Sequence, residues 1–140
     1  MSGALAFALI LVGCSTPASP EPLSAKATVQ TYYWTVNAHN WKQAKALLSP
    51  AQQLAFTDGI DSDRNNTLTV TNLTIMVYSP APFDQNAYPG YSNVQQATAS
   101  FDATYKKVIT SPNGPQFQFV YVGRIGPSGP WRILSFGSGP

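Results

Sequence analysis

The sequence predicts an α+β domain in which three helices come first and pack on a curved, four-stranded antiparallel sheet. Two observations carry this. Between Val29 and Leu48 apolar side chains recur at helical spacing, and from Thr67 onward they alternate with a period of two. Helices gathered ahead of a run of strands give α+β with an antiparallel sheet rather than βαβ units. Helices on one face of a curved sheet make a cone with a groove inside it.

Each element has its own signature. Ser24 is placed to cap the first helix, whose apolar face is Val29, Tyr32, Tyr33 and Val36. Asn37 to Asn40 breaks that pattern. Asn40 then caps a second helix, with Gln43 completing a capping box. Its buried side is Trp41, Ala44, Leu47 and Leu48. Ser49 starts a third helix with Pro50 at the first helical position, where the missing N–H costs nothing. Gly59 falls in the loop that follows.

Leu68 and Val70 share a face of the first strand, and so do Leu73, Ile75 and Val77. The phase slips at Thr71-Asn72, which predicts a β-bulge or a strand start there. Ala97, Ala99, Phe101, Ala103 and Tyr105 form one face of the second strand. The third is apolar on both faces near its middle, with Phe117, Phe119 and Tyr121 on one side and Val120 and Val122 on the other. Trp131, Ile133, Leu134 and Phe136 make the fourth, after a hairpin loop at Gly126-Pro-Ser-Gly-Pro130.

The chain divides into three parts: a leader over residues 1–13, a tether over 14–23 and the domain over 24–140. Ala4 to Val12 is an apolar run closed by Gly13-Cys14. It is too short to span a bilayer, which takes about 20 residues as a helix, but suits a signal-peptide core. Leu11-Val12-Gly13-Cys14 resembles a bacterial lipobox, which implies a diacylglycerol-modified Cys14 as the mature N-terminus. Met1-Ser2-Gly3 lacks the Lys or Arg that usually opens such a leader. Cys14 is the one cysteine, so it has no internal disulfide partner. The expected location is the cell membrane, lipid-anchored, on its extracytoplasmic face. The small and proline-rich residues that follow Cys14 suit an extended spacer.

Val29-Gln-Thr-Tyr-Tyr-Trp-Thr-Val-Asn-Ala-His-Asn-Trp-Lys-Gln-Ala44 resembles the first helix and turn of nuclear-transport-factor-2-like domains. Asn93-Val94 through Phe101-Asp-Ala-Thr-Tyr105 and the ending Trp131-Arg-Ile-Leu-Ser-Phe-Gly-Ser-Gly-Pro140 are similar to domain-of-unknown-function family 4829. The resemblance covers roughly residues 24 to 140. It implies a cone-shaped fold and the setting of small Gram-positive lipoproteins, and it brings no activity. This chain is less charged than the resemblance leads one to expect.

The chemistry on offer is sparse. Charged residues make up 10% of the chain and the net charge is +2, which excludes a nucleic-acid footprint. One cysteine and one histidine cannot build a transition-metal cluster. No Gly-x-Ser-x-Gly or phosphate loop is present, so no cofactor is expected. Asp61, Asp63 and Asn65 fall at calcium-loop positions 1, 3 and 5, but Asn66 stands where that loop needs Gly and Asn72 where it needs Glu. A plain polar loop fits them better. His39 is expected as a solvent-facing turn residue, and Asp102 as an outward carboxylate paired with Arg124 or Arg132.

Two function classes remain. The favoured one is a noncatalytic module binding a small apolar ligand or an envelope protein. Its ligand pocket would be bounded by Tyr33 and the small side chains of Ala97, Ala99 and Ala103. Phe83, Tyr88 and Tyr91, from the long aromatic loop at 79–93, would close the mouth over a ligand or else fold back and plug the cone end. The alternative is an isomerase- or dehydratase-type enzyme. It needs an ionisable side chain inside the cone beside Tyr33, whereas a dry aromatic pocket or an exposed sheet face favours binding.

Overall fold

Ser24 opens the first helix as its position predicts, its hydroxyl oxygen accepting from the Ala27 N–H at 3.1 Å and so satisfying an orphan donor of the first turn. The computed structural model describes Gly13 and residues 21–56, 66–78, 86–109 and 111–137. Among these, α1 spans Ala25–Asn37, α2 Trp41–Ala46 and α3 Pro50–Ala55. The strands are β1 Thr67–Tyr78, β2 Asn93–Tyr105, β3 Gly114–Arg124 and β4 Arg132–Gly137. They lie in the order β1-β2-β3-β4, and every neighbouring pair is antiparallel.

The second cap departs from the expected box in one detail. Asn40 Oδ1 accepts from the Gln43 N–H at 3.2 Å, but the Gln43 side chain meets the Asn40 side-chain amide, at 3.0 Å, instead of its backbone. The Asn40 backbone N–H is already donated to Thr35 O, closing the end of α1. Ser49 caps α3 through Gln52, with Pro50 in the first turn. Leu47 and Leu48 lie just beyond α2. There the backbone turns to β4: Ile133 donates to Leu47 O at 2.9 Å, and Ser49 donates to Ile133 O at 2.8 Å. Leu48 is fully buried at this junction.

In β1 the register shifts between Thr71 and Thr74, and Asn72 there has φ 53°, so the predicted bulge is present. A second shift, between Thr67 and Thr69, was not legible as a pattern break. It turns Leu68 to solvent while Val70 is buried, so the two do not share a buried face.

Residues opposite one another in a ladder project to the same face, which sorts the sheet. Ile75, Ala99 and Gln118 share one face, as do Val120 and Phe136. α1 lies against it: the Tyr33 ring is 4.9 Å from Phe101, and the Tyr32 ring 5.1 Å from Phe136. The core sits between them, built from Val29, Tyr32, Tyr33 and Val36 of α1 and the apolar sheet positions. Ala97 and Ala99 are completely buried and Ala103 nearly so. Their small side chains let the aromatic face of α1 approach the sheet. Trp131 is buried in this core, whereas Trp41 is half-buried at its margin.

Candidate functional site

Tyr33 comes from the middle of α1, on the stripe that faces the sheet. Its ring is 3% exposed, and its hydroxyl donates to Gln118 Oε1 of β3. A tyrosine packs its ring and finds a partner for its oxygen in this way when buried. The structure brings Tyr33 together with Ala97, Ala99 and Ala103 as parts of one core. The partner seen for the hydroxyl among the described residues is an amide.

Tyr88 and Tyr91 lie on the other side of the sheet. Tyr88 is 5.8 Å from the Tyr121 ring, and its hydroxyl shares a hydrogen bond with that of Ser135, directly opposite Tyr121 in the ladder. Tyr121 alternates with Val120 and so projects away from α1. A Cβ built on Gly123 would meet Tyr91 Cδ1 at 3.1 Å and Leu134 Cδ1 at 2.7 Å, which places the Tyr91 ring on the bare backbone of β3. Val94, opposite Gly123, is fully buried there. The end of the long loop thus forms a second small cluster, separated from Tyr33 by the sheet. Phe83 lies outside the described residues, as do Asp61, Asp63 and Asn65 of the calcium reading and Cys14 of the lipid anchor.

The rest of that face is open. Met76 of β1 is 53% exposed, Tyr78 45% and Phe117 of β3 48%. Phe119 stands edge-on to Phe117, with centroids 5.1 Å apart. Between these strands β2 presents Gln96, Thr98 and Ser100, opposite Tyr78, Met76 and Thr74. Asp102 stands on the same face of β2, two residues beyond Ser100, opposite Thr71 and Pro115, so a carboxylate borders this surface. Sequence reasoning missed this surface, because alternation alone does not say which face of a strand apolar on both sides the helices will cover.

The ionisable groups take other partners than expected. Asp102 accepts from Asn72 Nδ2 at 2.7 Å, across the β1–β2 pair. Arg124 pairs in register with Asn93, at the far end of β2 from Asp102. Its guanidinium lies 4.9 Å from the centre of the Trp131 ring, while Nε is buried without a hydrogen-bond partner among the described residues. Arg132 donates to Trp131 O. His39 is exposed as expected, but it is held: its ring stacks on Trp41 at 5.6 Å, and Nε2 lies 2.8 Å from Leu68 O. Among the described residues no helix is long and apolar enough to cross a membrane, and no group of three acidic, histidine or cysteine side chains is placed to hold a metal ion.

No curated protein and no solved structure matches this chain. The family described as Domain of unknown function matches residues 26–137, from the first turn of α1 to the last residue of β4. That span covers the three helices and the whole sheet, and the chain belongs to the family Domain of unknown function (DUF4829).

Proposed function

We propose that this chain is a lipid-anchored, extracytoplasmic lipoprotein whose domain is a noncatalytic binding module, docking an envelope protein on the sheet face that α1 leaves open. The observation that carries this is the pairing of a sealed face with an open one. α1 fills its side of the sheet, and Ala97 and Ala99 keep no accessible surface. On the other side Met76, Tyr78 and Phe117 stand about half exposed, with the polar Gln96, Thr98 and Ser100 between the strands and Asp102 at the border. Aromatic and methionine side chains are enriched at protein interfaces, which mix apolar and polar surface. The fold we assign is the nuclear-transport-factor-2-like cone, with Cys14 as the membrane attachment.

A small apolar ligand between Tyr33 and the alanines is the weaker form of the binding reading, because α1 would have to lift for a ligand to touch Ala97 or Ala99. The enzyme reading needs an acid or base beside Tyr33, where the described residues place the Gln118 amide.

Met76→Lys and Phe117→Lys test the proposal. Both side chains are exposed, so each variant keeps its stability within about 0.5 kcal/mol in chemical denaturation. Each should lose the partner from chemically cross-linked, affinity-purified membranes. Retention of the same partner by both variants would refute docking on this face.

A further inference from the structure

We propose that the β2–β3 hairpin tip is a second membrane contact, which seats the domain on an anionic lipid surface. The tip runs Lys106-Lys107-Val108-Ile109, and all four side chains are exposed, Val108 at 57% and Ile109 at 59%. Two bulky aliphatics at the end of a hairpin, next to two ammonium groups, make an apolar wedge with a cationic collar. Apolar burial at the headgroup boundary and attraction to anionic lipid reinforce one another at such a site.

The hairpin is held in shape from both sides. Asn113 Oδ1 accepts from the Tyr105 N–H at 2.8 Å. Asn66, at the start of β1, takes the Lys106 N–H on its carbonyl at 2.8 Å and the Lys107 N–H on its side chain at 2.9 Å. The wedge is therefore presented by a braced loop. Residues 105–114 contain no Asp or Glu. The nearest acidic side chain described along the strand is Asp102, which is engaged with Asn72. Asp63 precedes Asn66 in the chain and lies outside the described residues.

The distances allow it. α1 has 13 residues, about 20 Å of helix, and its far end is tied beside the hairpin, where Asn37 Oδ1 accepts from the Val70 N–H and His39 bonds Leu68 O. Residues 14–23, at about 3.1 Å each when extended, reach about 31 Å. A chain fixed at Cys14 thus has the reach to lay this end of the sheet on the membrane. On the reading of Cys14 as the lipid anchor, the acyl chains hold the chain to the membrane and a basic, apolar tip adds a contact that orients the domain on it.

The test reads the tip itself, in the full chain carrying Cys14→Ala. Ile109→Cys and, at the β3–β4 hairpin, Ile125→Cys are each labelled with a polarity-sensitive bimane probe; both positions are exposed, and circular dichroism checks the fold. Phosphatidylcholine vesicles containing phosphatidylglycerol should shift the emission at 109 to the blue and leave 125 unchanged. Lys106→Ser with Lys107→Ser should raise the lipid concentration for half-maximal shift about twenty-five-fold, at about fivefold per basic side chain. No shift at 109, equal shifts at both positions, or the same titration with pure phosphatidylcholine would each overturn the proposal. None of these outcomes depends on whether a protein docks on the open sheet face.

Discussion

Tyr33 carries a hydroxyl into the core and spends it on Gln118, so Tyr33→Phe removes a hydrogen bond without opening a cavity. The expected loss is about 0.5–1.5 kcal/mol in urea denaturation. Ala99→Leu is the sharper probe. In a ligand pocket the added bulk would be tolerated; under α1, where Ala99 has no accessible surface, overpacking should cost about 1–3 kcal/mol. Stability equal to wild type would revive the pocket. Gly129 sets a harder limit, because a Cβ there would stand 2.1 Å from Ile125 O in the hairpin. Gly129→Ala should unfold at lower denaturant than Gly137→Ala, whose Cβ meets nothing. The residue types at these places were readable in the sequence, but their partners were not. The pairing of Asp102 with an arginine failed because the β2–β3 register puts Arg124 opposite Asn93, and only the register could say so.

At the scale of elements the sequence was more legible. Caps act through bonds to their own first turn, so Ser24, Asn40 and Ser49 announced the three helix starts locally. Ser24→Ala should cost about 1 kcal/mol in thermal or chemical denaturation. The bulge at Asn72 announced itself through a phase slip in the alternation. Its left-handed backbone suits Asn and opposes β-branched residues. Asn72→Val should therefore destabilise by about 1–2 kcal/mol, more than Asn72→Gly does; equal effects would mean that the lost bond to Asp102, not the backbone, sets the cost. Leu68 was misread because a second bulge at the very start of β1 leaves no preceding alternation to break. The end of α2 was blurred for a related reason: Leu47 and Leu48 keep the apolar pattern while their backbone pairs with Ile133.

At the scale of the whole molecule, the order of helices and strands was legible and the use of the two sheet faces was not. β3 is apolar on both sides, so the sequence alone left Phe117 and Val120 as equal candidates for the helix side. The helices cover Val120, and among the described loop residues Tyr88 and Tyr91 fold onto one end of the opposite face. That leaves the surface on which the proposed function rests. Anchoring is checked by fractionation: wild type should follow the membranes, and Cys14→Ala should release into the soluble fraction.

The central claim, docking through the open sheet face, is tested most directly by site-specific photo-crosslinking in living cells. A photoreactive residue is placed at Phe117 on the open face or at Trp34, which is exposed on the solvent side of α1. The account predicts a discrete protein adduct from position 117 and none from 34. An adduct from 34 alone, or no adduct from 117 in chain that is folded and membrane-bound, would contradict it.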